Sequence, residues 1–343
     1  MSKRYPMPIP FGWFHVSYSS ELAVGEAKPI KYFGKDMVLF RTESGQAKCI
    51  DAYCPHMGAH LGYGIHELNG QGGEVQGETV VCPFHGWKFN GEGECKDVPY
   101  AKNIPPKVKD KQCMPKYDVV EKNQVIWVWY HPDPNQGPLF ELKDIEEAQL
   151  ENGEWGAIEN HRYHLPTHIQ EIAENGADPA HFQFVHGTAH IPAVADADFG
   201  EYVRHVVLTS KLDTPRGQVD GRIAFEGVGP GQSIVTFGGI CDTVLMGNVT
   251  PIDEENIEVN FGFIQRTGPD GKVPTGGVAA AIKADIIQQL EEDRPIWTHK
   301  MYRPNPILCD GDGPIAKFRK WYSQFYFEYD EKTKAAIPYK EVS

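Results

Sequence analysis

The hydrophobic and polar positions divide the chain into three textures. From residue 11 to 132, short apolar runs (WFHVSY, DMVLFR, VIWVWY) alternate with Gly, Pro and charged punctuation, the pattern of short strands in a small barrel or sandwich. The stretch 70–77 (GQGGEVQG) reads as a flexible Gly-rich loop inside that region. A Pro-rich joint at 131–138 predicts a boundary between one domain at 11–132 and another at 133–343. Beyond it, residues 167 to about 185 have helical spacing, with Thr167 and Gln170 in capping-box register. Residues 201–266 return to strand alternation (EYVRHVVLTSKL, GQSIVTFGGI, NIEVNFGFI). From 277 to about 302 the apolar positions are helical again, with Pro295 expected to kink the helix. The pattern gives an α+β class: an all-β domain, then an antiparallel sheet with helices against it.

Composition narrows the field. The 343 residues suit two domains, and 41% hydrophobic with 23% charged positions is ordinary globular composition. With 33 Lys+Arg against 47 Asp+Glu the net charge is −14, which argues against nucleic acid as partner. No membrane span and no secretory signal is visible. The seven cysteines are an odd number with no C-x-x-C pair, so they fit a reducing, cytoplasmic setting and point to metal instead of disulfides.

Two of those cysteines have a histidine a short step downstream: Cys54-Pro55-His56, and Cys82-Pro83-Phe84-His85-Gly86-Trp87. Each pair can present one thiolate and one imidazole from the tip of a loop. The set Cys54, His56, Cys82 and His85 suits a [2Fe–2S] cluster in which two His replace two Cys on one iron. The competing reading is a structural Cys2His2 zinc site, but zinc spacings usually group like ligands, and here each loop mixes them. The other five cysteines (49, 95, 113, 241, 309) lack such partners and read as small buried hydrophobes.

A second constellation opens the other domain. His181 and His186 are close enough to meet at one ion where a helix ends, and two imidazoles plus a carboxylate make the facial triad of non-haem Fe(II) sites. A structural histidine pair would account for H-x4-H alone; a redox cluster in the same chain favours the metal, because its electrons need a destination. Asp293, in the late helix, is the carboxylate of choice, against a solvated acidic helix face. Asp178, three residues before His181, suits a carboxylate that orients a ligand imidazole.

These motifs resemble the terminal oxygenase (α) component of the Rieske non-haem iron oxygenases. The similarity runs over nearly the whole chain: C-P-H, C-P-F-H-G-W, E-N-x-x-D-x-x-H-x4-H and D-x-x-I-W. It implies a Rieske [2Fe–2S] domain followed by a helix-grip catalytic domain, with Asp293 the third ligand of a mononuclear Fe(2+). It also implies that Asp178 bridges the iron histidine to a cluster histidine of a neighbouring subunit in a head-to-tail homotrimer, electrons passing from the His85 side of one copy to His181 of the next. Asn175 would lie beside the iron. The narrower likeness is to 3-ketosteroid 9α-hydroxylase oxygenases and cholesterol 7-desaturases. One departure stands out: 25 residues separate His56 from Cys82, more than most relatives have, the excess lying at 66–77.

The implied reaction uses O2 and electrons from an NAD(P)H-dependent reductase or ferredoxin to hydroxylate or desaturate a hydrophobic, steroid-like small molecule. Ile191, Ala193, Val194, Phe237, Gly238 and Gly239 are candidates for the pocket, within 187–199 and the 201–266 sheet. The aromatic stretch 317–329 would cover that pocket or pack between subunits. Aromatic ring hydroxylation or O-demethylation on the same scaffold is the alternative chemistry. A non-catalytic electron-transfer or zinc-stabilised module is the alternative class, against which the His181/His186/Asp293 set counts.

Overall fold

The computed structural model describes residues 4–64, 73–149, 153–214, 217–238 and 243–340. They form two compact units, one of His15–Pro138 and one of Met1–Phe14 together with Leu139–Ser343.

The first part of the chain is built from strands, with one short 3-10 turn at Ser19–Glu21: β1 (Gly12–Tyr18), β2 (Glu26–Tyr32), β3 (Lys35–Arg41), β4 (Ala47–Asp51), β5 (Gly73–Gln76), β6 (Thr79–Val81), β7 (Lys88–Asn90), β8 (Cys95–Asp97), β9 (Lys116–Tyr117), β10 (Val119–Lys122) and β11 (Val125–Tyr130). One sheet runs in the order β8-β7-β6-β5-β2-β3-β4-β9, and β1, β11 and β10 form another. Val38, Phe40, Ile50, Val80 and Phe89 bury their side chains in a common core that also takes in Cys54, Cys82 and Trp87. The two cysteines therefore sit within packed hydrophobic structure, which fixes the loops that carry them.

The 70–77 stretch is not a loop throughout. Residues 65–72 lie outside the described residues, but Gly73–Gln76 is a strand paired with β2 on one side and β6 on the other. Val75 is buried there, and a Cβ at Gly73 would collide with the Leu61 carbonyl oxygen, so its glycine admits a close backbone approach.

The second unit contains β12 (Glu159–Leu165), α1 (Ile169–Asn175), α2 (Ala180–Phe184), β13 (Ala193–Phe199), β14 (Val203–Thr214), β15 (Gly217–Val228), β16 (Gln232–Gly238), β17 (Thr243–Pro251), β18 (Ile257–Gln265), α3 (Gly277–His299), α4 (Ile315–Tyr322), β19 (Phe327–Asp330) and β20 (Ala335–Pro338). β13 to β18 form an antiparallel meander, and β12 closes it beside β18. β17 is buried along its whole length, as a central strand covered on both faces must be. α3 packs on β12 and β17, and α1 also packs on β17.

The single helix expected over 167–185 is two. Gly176 ends α1 and Pro179, which has no N–H to donate, stands before α2. The cap is not Thr167: His168 precedes the first turn, and its Nδ1 accepts the N–H of Gln170 at 3.2 Å. Thr167 is buried, with its hydroxyl 2.9 Å from that of Tyr5. α3 is one helix through Pro295. The aromatic stretch 317–329 packs within its own unit, where Phe318, Trp321, Tyr322 and Phe325 are buried and α4 rests on α1 and β13. Cys49 and Cys95 are buried, but Cys113 is half-buried and Cys309 is exposed, against the expectation for both; Cys241 lies outside the described residues. No helix among the described residues is long and apolar enough to cross a membrane.

Candidate functional site

The two Cys-His loops share one backbone design. In each, the cysteine N–H donates to the carbonyl five residues on (Cys54 to Ala59, Cys82 to Trp87) and the glycine four residues on donates back to the cysteine carbonyl (Gly58, Gly86). Both glycines have positive φ, +77° and +71°, conformations that L side chains rarely adopt. The turn aims the N–H groups of His56 and Met57 at the Cys54 sulfur, and those of Phe84 and His85 at the Cys82 sulfur. The two thiols face one another. Their mutual hydrogen bond, with the N–H groups of Phe84 and His85, brings the Cys82 pKa down to about 6, whereas the same bond and burial push Cys54 up. The His56 and His85 rings meet edge-on with centroids 4.8 Å apart, and Trp87 stacks on His56 at 4.7 Å. The Nδ1 atoms of both histidines are buried without a hydrogen-bond partner.

Such orphaned nitrogens cost free energy unless something occupies them. The pairing of like ligands, sulfur with sulfur and ring with ring, suits a two-metal cluster. Among the described residues these four donors do not form a group converging on a single ion.

The second set does converge. His181, His186 and Asp293 each bring a ligand atom within 4.8 Å of the others. His181 is the second residue of α2, and its Nδ1 donates to the Asp178 carbonyl oxygen at 2.5 Å. His186 lies just past the end of α2, and its Nδ1 donates to Glu292 Oε2 at 2.9 Å. Both rings are thereby left with Nε2 toward Asp293, that of His186 lying 3.5 Å from Asp293 Oδ2. Asn175 Nδ2 donates to the same oxygen at 3.2 Å. Burial pulls the His181 pKa down; for His186 the hydrogen bonds with Asp293 and Glu292 outweigh burial and raise it.

Asp293 comes from an acidic run, Glu291-Glu292-Asp293, and α3 explains why it turns inward. The buried positions of α3 are Ile286, Leu290, Asp293 and Trp297, one stripe at helical spacing. That stripe was a readable signal. Glu292, one position off it, was not singled out by the sequence, although it holds His186. Asp178 contacts differ from the expected carboxylate-to-imidazole bond: its backbone oxygen holds the ring, while Oδ1 accepts the N–H groups of Ala180 and His181 at 3.0 and 3.3 Å.

A cavity of about 130 Å³ opens onto His181, His186 and Asp293. Ile169 and Ile172 of α1, Phe225, Val235, Phe237 and Phe261 of the sheet, and Leu290 and Trp297 of α3 make its walls largely apolar. Of the sequence candidates only Phe237 lines it. Ile191, Ala193 and Val194 point to solvent, Gly238 is not in the wall, and Gly239 lies outside the described residues.

A Rieske [2Fe–2S] domain model matches residues 12–118, and a 3-ketosteroid 9α-hydroxylase C-terminal domain model matches 128–326. The chain belongs to the Rieske non-haem iron oxygenases. As a Rieske oxygenase it is an oxidoreductase, with a [2Fe–2S] cluster and a mononuclear iron as its cofactors. It is 33% identical to a cholesterol 7-desaturase of Drosophila melanogaster, over 94% of this chain and 76% of that protein. It is 28% identical to the oxygenase component of a 3-ketosteroid-9-alpha-monooxygenase of Rhodococcus rhodochrous, over 94% of this chain and 85% of that one. In fold it is similar to dicamba monooxygenase bound to 3,6-dichlorosalicylic acid (TM-score 0.72, 18% identity, 92% of this chain and 96% of that one).

Proposed function

We propose that this Rieske oxygenase is the terminal oxygenase for a sterol- or 3-ketosteroid-like substrate, fed electrons by a separate NAD(P)H-dependent reductase or ferredoxin. The observation that carries the reading is the apolar cavity opening directly onto His181, His186 and Asp293. Relatives named as steroid monooxygenase and sterol desaturase support the substrate class.

Cys54, Cys82, His56 and His85 would hold the cluster, and His181, His186 and Asp293 the mononuclear iron. Bound there, these groups supply one-electron delivery and oxygen activation respectively. The chain's own residues prepare the site. The Asp178 carbonyl and the Glu292 carboxylate fix the two imidazoles with Nε2 forward, and Asn175 steadies the Asp293 carboxylate. Phe182, Leu290 and Trp297 exclude water from the reacting side. Asp178 Oδ2 accepts no hydrogen bond among the described residues, which leaves it available to a cluster histidine of a neighbouring copy in a head-to-tail trimer.

Substrate-dependent oxygen uptake tests the substrate class. Sterols and 3-ketosteroids are expected to stimulate uptake by the reduced enzyme and a methoxybenzoate is not; the reverse outcome would move the enzyme to aromatic chemistry. Metal analysis tests the ligands: Asp293→Ala should lose the mononuclear iron yet keep the cluster's visible spectrum.

A further inference from the structure

The cavity contains a charge that the reaction does not use. Arg204 of β14 is 8% exposed, and besides Asp293 and the two histidines it is the only charged side chain in the cavity wall among the described residues. A guanidinium remains protonated even when buried, and an unpaired buried charge is costly. No carboxylate among the described residues pairs with Arg204. Its Nη1 donates to the Ala173 carbonyl at 3.2 Å and its Nη2 to Ser233 Oγ at 3.3 Å, both at the long end of the range, while Nε is buried with no partner. Phe318 and Trp321 lie beneath it at 5.9 and 6.0 Å, a modest cation–π contribution.

The sheet makes room for this side chain. Arg204 is paired across the strands with Gly227, and Gly227 with Ser233. A Cβ at Gly227 would lie 2.9 Å from Arg204 Nε and 2.7 Å from the Gln232 carbonyl oxygen, so a larger residue would displace the guanidinium. Gly247 continues the row beside Ser233 and is paired with Phe261. Arg204, Gly227, Ser233, Gly247 and Phe261 thus form a trough across four neighbouring strand pairings, small in the middle and cationic at the β14 side. A helix cap alone would need one donor to Ala173 and no cleared trough; with Nη1 and Nη2 each committing one N–H, three N–H groups of the fork remain.

We propose that Arg204 anchors a carboxylate of the substrate, so that the preferred substrate is a hydrophobic ring system bearing an acid group. This deepens the proposed function and rests on the cavity being the substrate pocket. The fork of N–H groups matches a carboxylate in bidentate geometry, and the apolar walls bury the rings attached to it.

The test is calorimetric binding to the holoenzyme at neutral pH of two acid/amide pairs: a steroid carboxylic acid with its near-isosteric primary amide, and a methoxybenzoic acid with its amide. The steroid acid should bind at least tenfold more tightly than its amide. Arg204→Gln should erase that ratio and Arg204→Lys, which keeps the charge without the fork, should retain part of it. Equal binding of steroid acid and amide by the wild-type enzyme would overturn the anchor while leaving the steroid reading in place, and this arm requires no variant to fold. An unchanged ratio in Arg204→Gln would overturn the anchor as well. An acid preference in the benzoate pair with no steroid binding would support the anchor and overturn the steroid reading.

Discussion

At the residue scale the site depends on groups that never touch substrate. Glu292 meets His186 Nδ1 at 2.9 Å and is itself held by Gln288, so the carboxylate is placed before any metal arrives. Removing such a partner typically costs 10–100-fold in metal affinity. Glu292→Ala should therefore weaken iron binding by roughly that factor in a chelator competition, with Glu292→Gln, which keeps an acceptor, in between and the cluster spectrum unchanged in both. An unaltered affinity in Glu292→Ala would remove the residue from the site. His168 makes a separate prediction. It is buried, its Nε2 donates to the Pro8 carbonyl and its Nδ1 accepts from Gln170, so it must be neutral; burial brings its pKa from 6.5 to about 4. The unfolded chain takes up this proton first as pH falls, so His168 costs stability from about pH 6.5 down to about 4 and no further below that. The loss is on the order of 3 kcal/mol. The drop in Tm between pH 7 and 5 should shrink in His168→Gln, whose amide can accept and donate at the same places; an identical drop would show that other groups set the acid sensitivity.

At the element scale, what could be read from the sequence was what lies close together in it. The Cys-His loops, the strand alternation and the inward stripe of α3 that carries Asp293 are all local patterns. The walls of the cavity are not. Ile191, Ala193 and Val194 follow His186 in sequence yet face solvent, because β13 is the edge strand of the sheet and its first residues are exposed on both faces. Cross-strand register, by contrast, brings Arg204, Gly227 and Ser233 into one row from three strands. Nothing local in the sequence marks Glu292, for a related reason: its partner is 106 positions away. The split between α1 and α2 was written in Gly176 and Pro179, but helical spacing on either side masked it. If the row is the floor of the substrate pocket, filling it should block catalysis without unfolding the sheet. Gly247 is suited to the purpose, since a Cβ there meets nothing closer than 3.8 Å and its φ is not positive. Gly247→Leu should abolish substrate-dependent oxygen uptake while both metal sites stay loaded; wild-type uptake would place the substrate elsewhere.

At the scale of the whole molecule the proposed enzyme is a ring of copies, in which the cluster of one chain would serve the iron of the next through Asp178. Asp178→Asn should leave both metals bound and nearly abolish turnover. A mixing experiment is more pointed. Cys82→Ala lacks the cluster but keeps His181, His186 and Asp293; Asp293→Ala lacks the iron site but keeps the cluster ligands. Each should be inactive alone, and co-assembled chains should regain turnover if electrons cross between subunits; no recovery in a verified mixed trimer would confine the transfer to one chain. Oxidation of a steroid-like substrate at the His181/His186/Asp293 centre would be seen in single-turnover product analysis. Chemically reduced, iron-replete enzyme would be mixed with oxygen and a panel of sterols, 3-ketosteroids, steroid acids and methoxybenzoates, and the products read by mass spectrometry. The expected product is a steroid that has gained one oxygen atom or lost two hydrogens. Demethylated benzoate with every steroid returned unchanged would contradict the steroid reading.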